Sequence, residues 1–217
     1  MWRIVEQIRM GGDRNFGYLV GDRDAGVAVA VDPSYDPALI HDRATSQGLR
    51  ITHVLNTHGH DDHVNGNDEM VRLTGAKTAA HASSSIRPDV ELEEGGVVEV
   101  GALTLRVLHV PGHTMDHVVY YVPELGVALT GDHLFVGKIG GTATEAEARA
   151  EYDSLARMLE QLPDETTIWP GHDYGCRPSS TIALEKETNP FLQVPDLPAF
   201  LDLKRRWAGF KADHGLV

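Results

Sequence analysis

The stretch Ile51-Thr52-His53-Val54-Leu55-Asn56-Thr57-His58-Gly59-His60-Asp61-Asp62-His63 passes from an apolar, β-branched run into seven residues that hold three histidines and two aspartates. The first half reads as a buried strand and the second as the loop that leaves its end. None of these polar side chains is at home in an apolar core. Their H-x-H-x-D-H spacing at a strand-to-loop junction is the chemistry of a site for zinc, iron or manganese.

Three further junctions of the same kind follow. Residues 105–110 form a strand-like run that ends in Pro111-Gly112-His113-Thr114, where the Pro-Gly pair turns the chain and leaves His113 at the tip. Residues 126–130 run into Gly131-Asp132, and residues 166–169 into Pro170-Gly171-His172-Asp173-Tyr174. One isolated histidine would be weak evidence, but four strand ends that each deliver candidate ligands form a joint pattern.

The order H-x-H-x-D-H, Pro-Gly-His-Thr, Gly-Asp, Gly-His-Asp-Tyr resembles the metallo-β-lactamase superfamily across most of the chain, nearest to its glyoxalase II (hydroxyacylglutathione hydrolase) and persulfide dioxygenase branches. The resemblance implies an α/β (α+β) fold, a four-layer αββα sandwich with its ligand loops along one edge. It implies His58, His60 and His113 as ligands of a first metal and Asp62, His63 and His172 as ligands of a second. Asp132 would bridge the two, and Asp62 and Asp132 would be the catalytic carboxylates. The cofactor expected is therefore two divalent metal ions, zinc first, with iron or manganese accepted by the same donors. Many β-lactamases of this fold place a cysteine where Asp132 stands. The sole cysteine here, Cys176, lies elsewhere, which argues against antibiotic hydrolysis as the main activity.

Composition bounds the rest. A chain of 217 residues suits one large core. Residues 1–177 are expected to form the catalytic domain, and residues 178–217 a short helical C-terminal appendage of the same unit. With 32 acidic against 19 basic residues the formal net charge is −13, which repels phosphate backbones and argues against nucleic acid as a partner. No apolar run approaches the roughly 18 residues of a membrane span, and the N-terminal residues lack the apolar stretch of a signal peptide. A single cysteine makes no internal disulfide, in keeping with a reducing compartment. A cytoplasmic enzyme without a membrane partner is the expectation.

Residues 4–8, 16–20 and 27–32 read as a β meander, and a helix follows with Asp36 as its cap, Pro37 in its first turn and Gly48 past its end. Thr144 and Glu147 are spaced as a capping box, and Tyr152, Leu155, Met158, Leu159 and Leu162 recur at helical spacing. A further helix is expected to begin at Ser180, and a last one to run through Phe210.

Two metals bridged by Asp132 would lower the pKa of a shared water, making a metal-bound hydroxide available at neutral pH. A thioester suits such a nucleophile, because its thiolate leaving group, with a pKa of about 8.5, departs without a dedicated acid. The expected activity is thus that of a glyoxalase II-type metallo-hydrolase acting on a small-molecule thioester or glutathione conjugate. Lys204, Arg205 and Arg206 form the dense basic cluster expected to receive the anionic thiol, with Tyr174 as a hydroxyl donor. Lys138 would stand in for the basic residue that both branches carry after Gly-Cys-Gly. The shortness of the appendage allows a partner subunit to complete the pocket, so a homo-oligomer is among the expectations. The alternative is a mononuclear Fe(II) glutathione persulfide dioxygenase built on His58, His113 and Asp132, a two-His, one-carboxylate set. A non-catalytic metal-binding protein is the third reading.

Overall fold

The computed structural model describes residues 2–214. Its first sheet sets β1 (Arg3–Gly11), β2 (Asn15–Asp22), β3 (Val27–Val31), β4 (Arg50–Leu55), β5 (Lys77–His81) and β6 (Val90–Leu92) side by side in chain order. The second is built from β7 (Val97–Val100), β8 (Leu103–His109), β9 (Val118–Val122), β10 (Val127–Gly131), β13 (Thr167–Pro170) and β14 (Ser180–Thr181), in the order β14-β13-β10-β9-β8-β7. Between β10 and β13 in sequence, β11 (Leu134–Phe135) and β12 (Lys138–Ile139) make a separate hairpin. The helices are α1 (Pro37–Ser46), α2 (Asp61–Val64), α3 (Asn67–Thr74), α4 (Glu145–Gln161), α5 (Ile182–Thr188) and α6 (Leu197–His214).

Alternation along the strands explains the layering. In β3, Val29 and Val31 face the second sheet while Ala28 and Ala30 turn toward the helices. In β9, Val118, Tyr120 and Val122 point inward and Val119 points out. Successive side chains of a strand take opposite faces, so strands that are apolar at every position must be covered on both. Ile40 and Ala44 of α1 with Met70 of α3 cover the first sheet, and Leu155 and Met158 of α4 with Phe200 and Leu201 of α6 cover the second. The result is the expected αββα sandwich.

Local chemistry starts the helices where the sequence reading puts them. The Asp36 carboxylate accepts from Leu39 N, and Thr144 and Glu147 form a reciprocal capping box at the head of α4. One boundary differs. The helix expected from Ser180 begins at Ile182, because Ser180 and Thr181 pair with Ile168 and Thr167 before the Thr181 hydroxyl caps α5. Residues 178–214 thereby contribute an edge strand to the second sheet, and Ile182, Phe191, Phe200 and Leu201 join its outer core.

Tyr120 links the two sheets just below the histidine loop, its buried hydroxyl donating to Asn56 O at 2.7 Å. Tyr120→Phe leaves that carbonyl without its partner and is expected to cost about 1–3 kcal/mol, read from the urea midpoint at unchanged m-value.

Candidate metal centre

All four ligand-bearing junctions meet at one edge of the sandwich. From the end of β4, residues 56–60 cross that edge, and α2 then presents Asp62 and His63. Asn56 fixes the approach: its amide donates to His63 O at 3.2 Å and exchanges hydrogen bonds with the Asn67 amide. At the end of β10, Gly131 adopts a φ of +50°, and a side chain there would collide with Thr57 and His117. The turn lets Asp132 follow with its backbone N–H donated to His117 Nε2 at 3.0 Å. Gly171 N donates to Gly131 O at 2.8 Å, and this sets His172 beside Asp132. The β1–β2 turn then closes the edge from the first sheet, through Phe16 N to Gly171 O at 2.8 Å and Asp173 N to Arg14 O at 2.9 Å.

The outward-facing nitrogen of each of four histidines has an acceptor, which fixes its tautomer. His63 Nδ1 donates to Asp32 at 3.0 Å, His172 Nδ1 to Asp13 O at 2.9 Å and His113 Nδ1 to Gly141 O at 2.7 Å. His58 Nδ1 lies 3.1 Å from Thr57 Oγ1, whose own proton goes to Asp32 at 2.7 Å. The Nε2 lone pairs are left to converge. His58 Nε2 faces His60 Nδ1 at 3.0 Å, His113 Nε2 faces the same atom at 3.1 Å, and the Nε2 atoms of His63 and His172 lie 3.2 Å apart.

Facing lone pairs at such distances, beside carboxylates, are the donor set of a cation. Three overlapping groups have ligand atoms within 4.8 Å of one another: His58, His60 and His113; His58, His63 and Asp132; Asp62, His63 and His172. Asp132 stands between the outer two groups, its Oδ2 3.7 Å from His113 Nε2 and 3.3 Å from His172 Nε2. Its Oδ1 is buried without a hydrogen bond, 3.4 Å from His63 Nε2. The residues present therefore fit a pair of divalent ions. Electrostatics agree: burial works against the Asp132 carboxylate, yet the neighbouring imidazoles of His63, His172 and His58 hold its pKa well below the ordinary carboxyl range. Burial, with His63 and His117 nearby, keeps His58 well below the usual imidazole range and hence neutral, as a ligand must be.

Two cavities adjoin the centre. One, of about 440 Å³, is lined by His113, Asp132, Phe135 and Lys204; the other, of about 460 Å³, by Arg14, Cys176 and Arg177, and Lys138, Tyr174 and Trp207 border both. Lys138 Nζ lies 3.8 Å from the centre of the Tyr174 ring, and that ring stacks on His172 at 4.6 Å. Burial, reinforced by Lys211 and Arg14, brings the Lys138 pKa down to about 8.

The basic cluster of the C-terminal helix does not act as one face. Lys204 turns inward and pairs with Glu151, whereas Arg205 and Arg206 point outward and pair with Asp202. Neither arginine borders the two cavities at the centre. The Tyr174 hydroxyl, expected to meet substrate, donates to Asp13.

Several contributors escape sequence reading. Asp32, in a left-handed conformation at φ 48°, accepts from Thr57 N, Thr57 Oγ1 and His63 Nδ1. Asn15 donates to Asp62 O at 3.0 Å and Asp62 Oδ2 at 3.1 Å. The Arg14 guanidinium lies 4.9 Å from the Tyr174 ring. Buried Glu185 accepts from Gly137 N at 2.8 Å, and Asn189 donates to Lys138 O at 3.2 Å, so α5 holds the hairpin turn that carries Lys138. His117 stacks on His58 at 4.8 Å. Only the strand-ending Asp32 had a local signal, its place at the close of a β-rich run.

Comparison with known proteins adds relatives to this geometry. The sequence matches the Metallo-beta-lactamase superfamily over residues 11–85 and 82–172. It is 36% identical to a hydroxyacylglutathione hydrolase of Maricaulis maris, over 85% of this chain and 84% of that protein. Among solved structures, ETHE1 from Myxococcus xanthus superposes with a TM-score of 0.87 at 32% identity, covering 94% of this chain and 91% of its own. TTHA1623 in a di-iron-bound form gives 0.71 at 30% identity, covering 86% of this chain and all (100%) of its own.

Asp32 offers a test of the centre. Asp32→Asn substitutes an amide for a carboxylate oxygen that accepts from both Thr57 and His63, and should lower Zn²⁺ affinity by roughly 10–100-fold. Metal analysis after dialysis against graded chelator concentrations measures it.

Proposed function

The chain belongs to the metallo-beta-lactamase superfamily, and on that premise we propose that it is a dinuclear metallo-hydrolase of glyoxalase II type, cleaving the thioester of a small acyl-thiol such as a hydroxyacylglutathione. The observation that carries this reading is the pair of donor groups, His58, His60 and His113 beside Asp62, His63 and His172, with Asp132 between them. When bound there, two divalent ions would supply an activated water at neutral pH and Lewis-acid stabilisation of the developing oxyanion. Zinc suits the donors, and so do iron and manganese.

The chain's own residues account for the remainder. The outer hydrogen bonds of His58, His63, His113 and His172 hold the ligands in one orientation, so little reorganisation accompanies the reaction. Asn15 orients Asp62 in the same way. The cavity that reaches His113 and Asp132 receives the acyl carbon, and the neighbouring one, which shares Lys138 and is lined by Arg14 and Arg177, receives the thiol. Cationic walls in a chain of net charge −13 favour an anionic thiol over a neutral one. The leaving thiolate, of pKa about 8.5, needs no proton from the protein to depart.

A second reading has a specific observation behind it. ETHE1 from Myxococcus xanthus covers nearly the same length with a TM-score of 0.87, and His58, His113 and Asp132 can form the two-His, one-carboxylate set of a non-haem iron oxygenase, the set expected of the persulfide dioxygenase branch.

The two readings part on stoichiometry and oxygen. The hydrolase should contain about two metals per chain, lose one in His172→Ala, and lose its turnover in Asp132→Ala without unfolding. A single iron per chain, with oxygen uptake on glutathione persulfide and no thioester cleavage, would establish the dioxygenase instead.

Lys138 supplies a pH test. Its pKa lies below the ordinary lysine value, so it is charged below about pH 8 and neutral above. If it receives the anionic thiol, KM for a glutathione thioester should rise as pH passes through about 8 while kcat holds. Lys138→Met should raise KM at pH 7 and abolish that pH dependence.

A further inference from the structure

Of Lys204, Arg205 and Arg206, Lys204 alone buries its charge. Its ammonium donates to Gly140 O at 2.9 Å, to Thr142 Oγ1 at 3.0 Å and to the Glu151 carboxylate. An ammonium has three protons to donate, so this set of acceptors leaves none for a substrate. Glu151 is fully buried, and burial raises its pKa to about 7 despite Lys204; burial likewise lowers that of Lys204 despite Glu151. Buried pairs of this kind add little net stability, and their effect is felt in geometry.

What the pair holds is the backbone around His113. Gly140 lies between the Asp132 carbonyl oxygen and the His113 ring so closely that any side chain would overlap the former. The next residue, Gly141, offers the carbonyl that accepts His113 Nδ1–H at 2.7 Å. From the other side, α4 supports the turn that precedes His113: Ser154 Oγ donates to Pro111 O at 2.8 Å, and Gly112 packs flush on the Glu151 backbone. Helices α4 and α6 thus grip both segments that meet at this histidine.

We infer that Lys204 and Glu151 are positioning residues for His113, holding residues 140–142 so that Gly141 O keeps the proton on Nδ1 and leaves Nε2 aimed at the metal centre. The inference rests on the reading of His113 as a metal ligand. It replaces the substrate-binding role expected of Lys204 from its place in a basic run.

Two measurements test it. Long-range ¹H–¹⁵N spectra of the metal-free protein report which nitrogen of His113 carries the proton, and Zn²⁺ titration against a competing chelator reports the two site affinities. The wild type should show Nδ1–H and two tight sites. Lys204→Met should mix the tautomers and weaken one site by roughly 10–100-fold, leaving the other unchanged. The double variant Glu151→Gln with Lys204→Met, which leaves no buried ion unpaired, should do the same even if the single variant folds poorly. Gly140→Ala, which crowds the segment from the opposite side, should reproduce that signature, whereas Glu151→Gln alone, which keeps an acceptor for Lys204, should retain most of the affinity. Arg206→Met, at an exposed pair, should change nothing. An unaltered tautomer with both affinities intact in Lys204→Met overturns the inference, as does a raised KM for a glutathione thioester with metal binding unmoved. If the wild type itself takes up no Zn²⁺, the metal reading fails, and the tautomer spectra still decide whether Lys204 orients His113.

Discussion

Four imidazoles tied by their outer nitrogens govern this molecule. A neutral imidazole has one proton, and an acceptor at Nδ1 determines that Nε2 is the lone pair presented to the site. His63 leans on Asp32, His58 on Thr57 and through it on the same carboxylate, His172 on a carbonyl of the β1–β2 turn, and His113 on a carbonyl beyond the β11–β12 hairpin. These supports come from both sheets and from the connections between them. The sandwich must close along this edge for the ligands to point one way, and backbone bonds such as Phe16 N to Gly171 O close it.

The distribution of charge follows a related logic. An excess of acid over base covers the surface, while Arg14, Lys138, Arg177 and Lys211 gather around the two cavities beside the centre. Lys138 is held there by backbone anchoring of its own hairpin turn through Glu185 and Asn189. A lysine fixed in place and partly buried is a poorer base than one in water, so its charge is available at neutral pH and lost at moderately alkaline pH.

The helices that cover the second sheet reach further than the core they complete. Phe200 and Leu201 of α6 fill the outer layer, and three residues on, Lys204 enters the polar network under residues 140–142. Packing and site orientation are carried by one element, so the C-terminal segment is part of the centre's support.

The sequence by itself determined a mixed α/β chain and, in the order of its ligand motifs, the resemblance that implies the sandwich and the seven residues around the centre. Each of those seven follows a strand-like run, most of them marked by glycine or proline; these are local signals that need no knowledge of the tertiary neighbours. Tertiary structure alone decided what supports them. Asp32 and His63 are brought together by the pairing of β3 with β4, Asp13 and His172 by the meeting of two sheets, and Gly141 and His113 by a hairpin return. The run Lys204-Arg205-Arg206 shows the limit most plainly. Adjacent residues on a helix point about 100° apart, so three neighbours in sequence cannot share one face, and burial against α4 took Lys204 inward while Arg205 and Arg206 stayed with Asp202 at the surface.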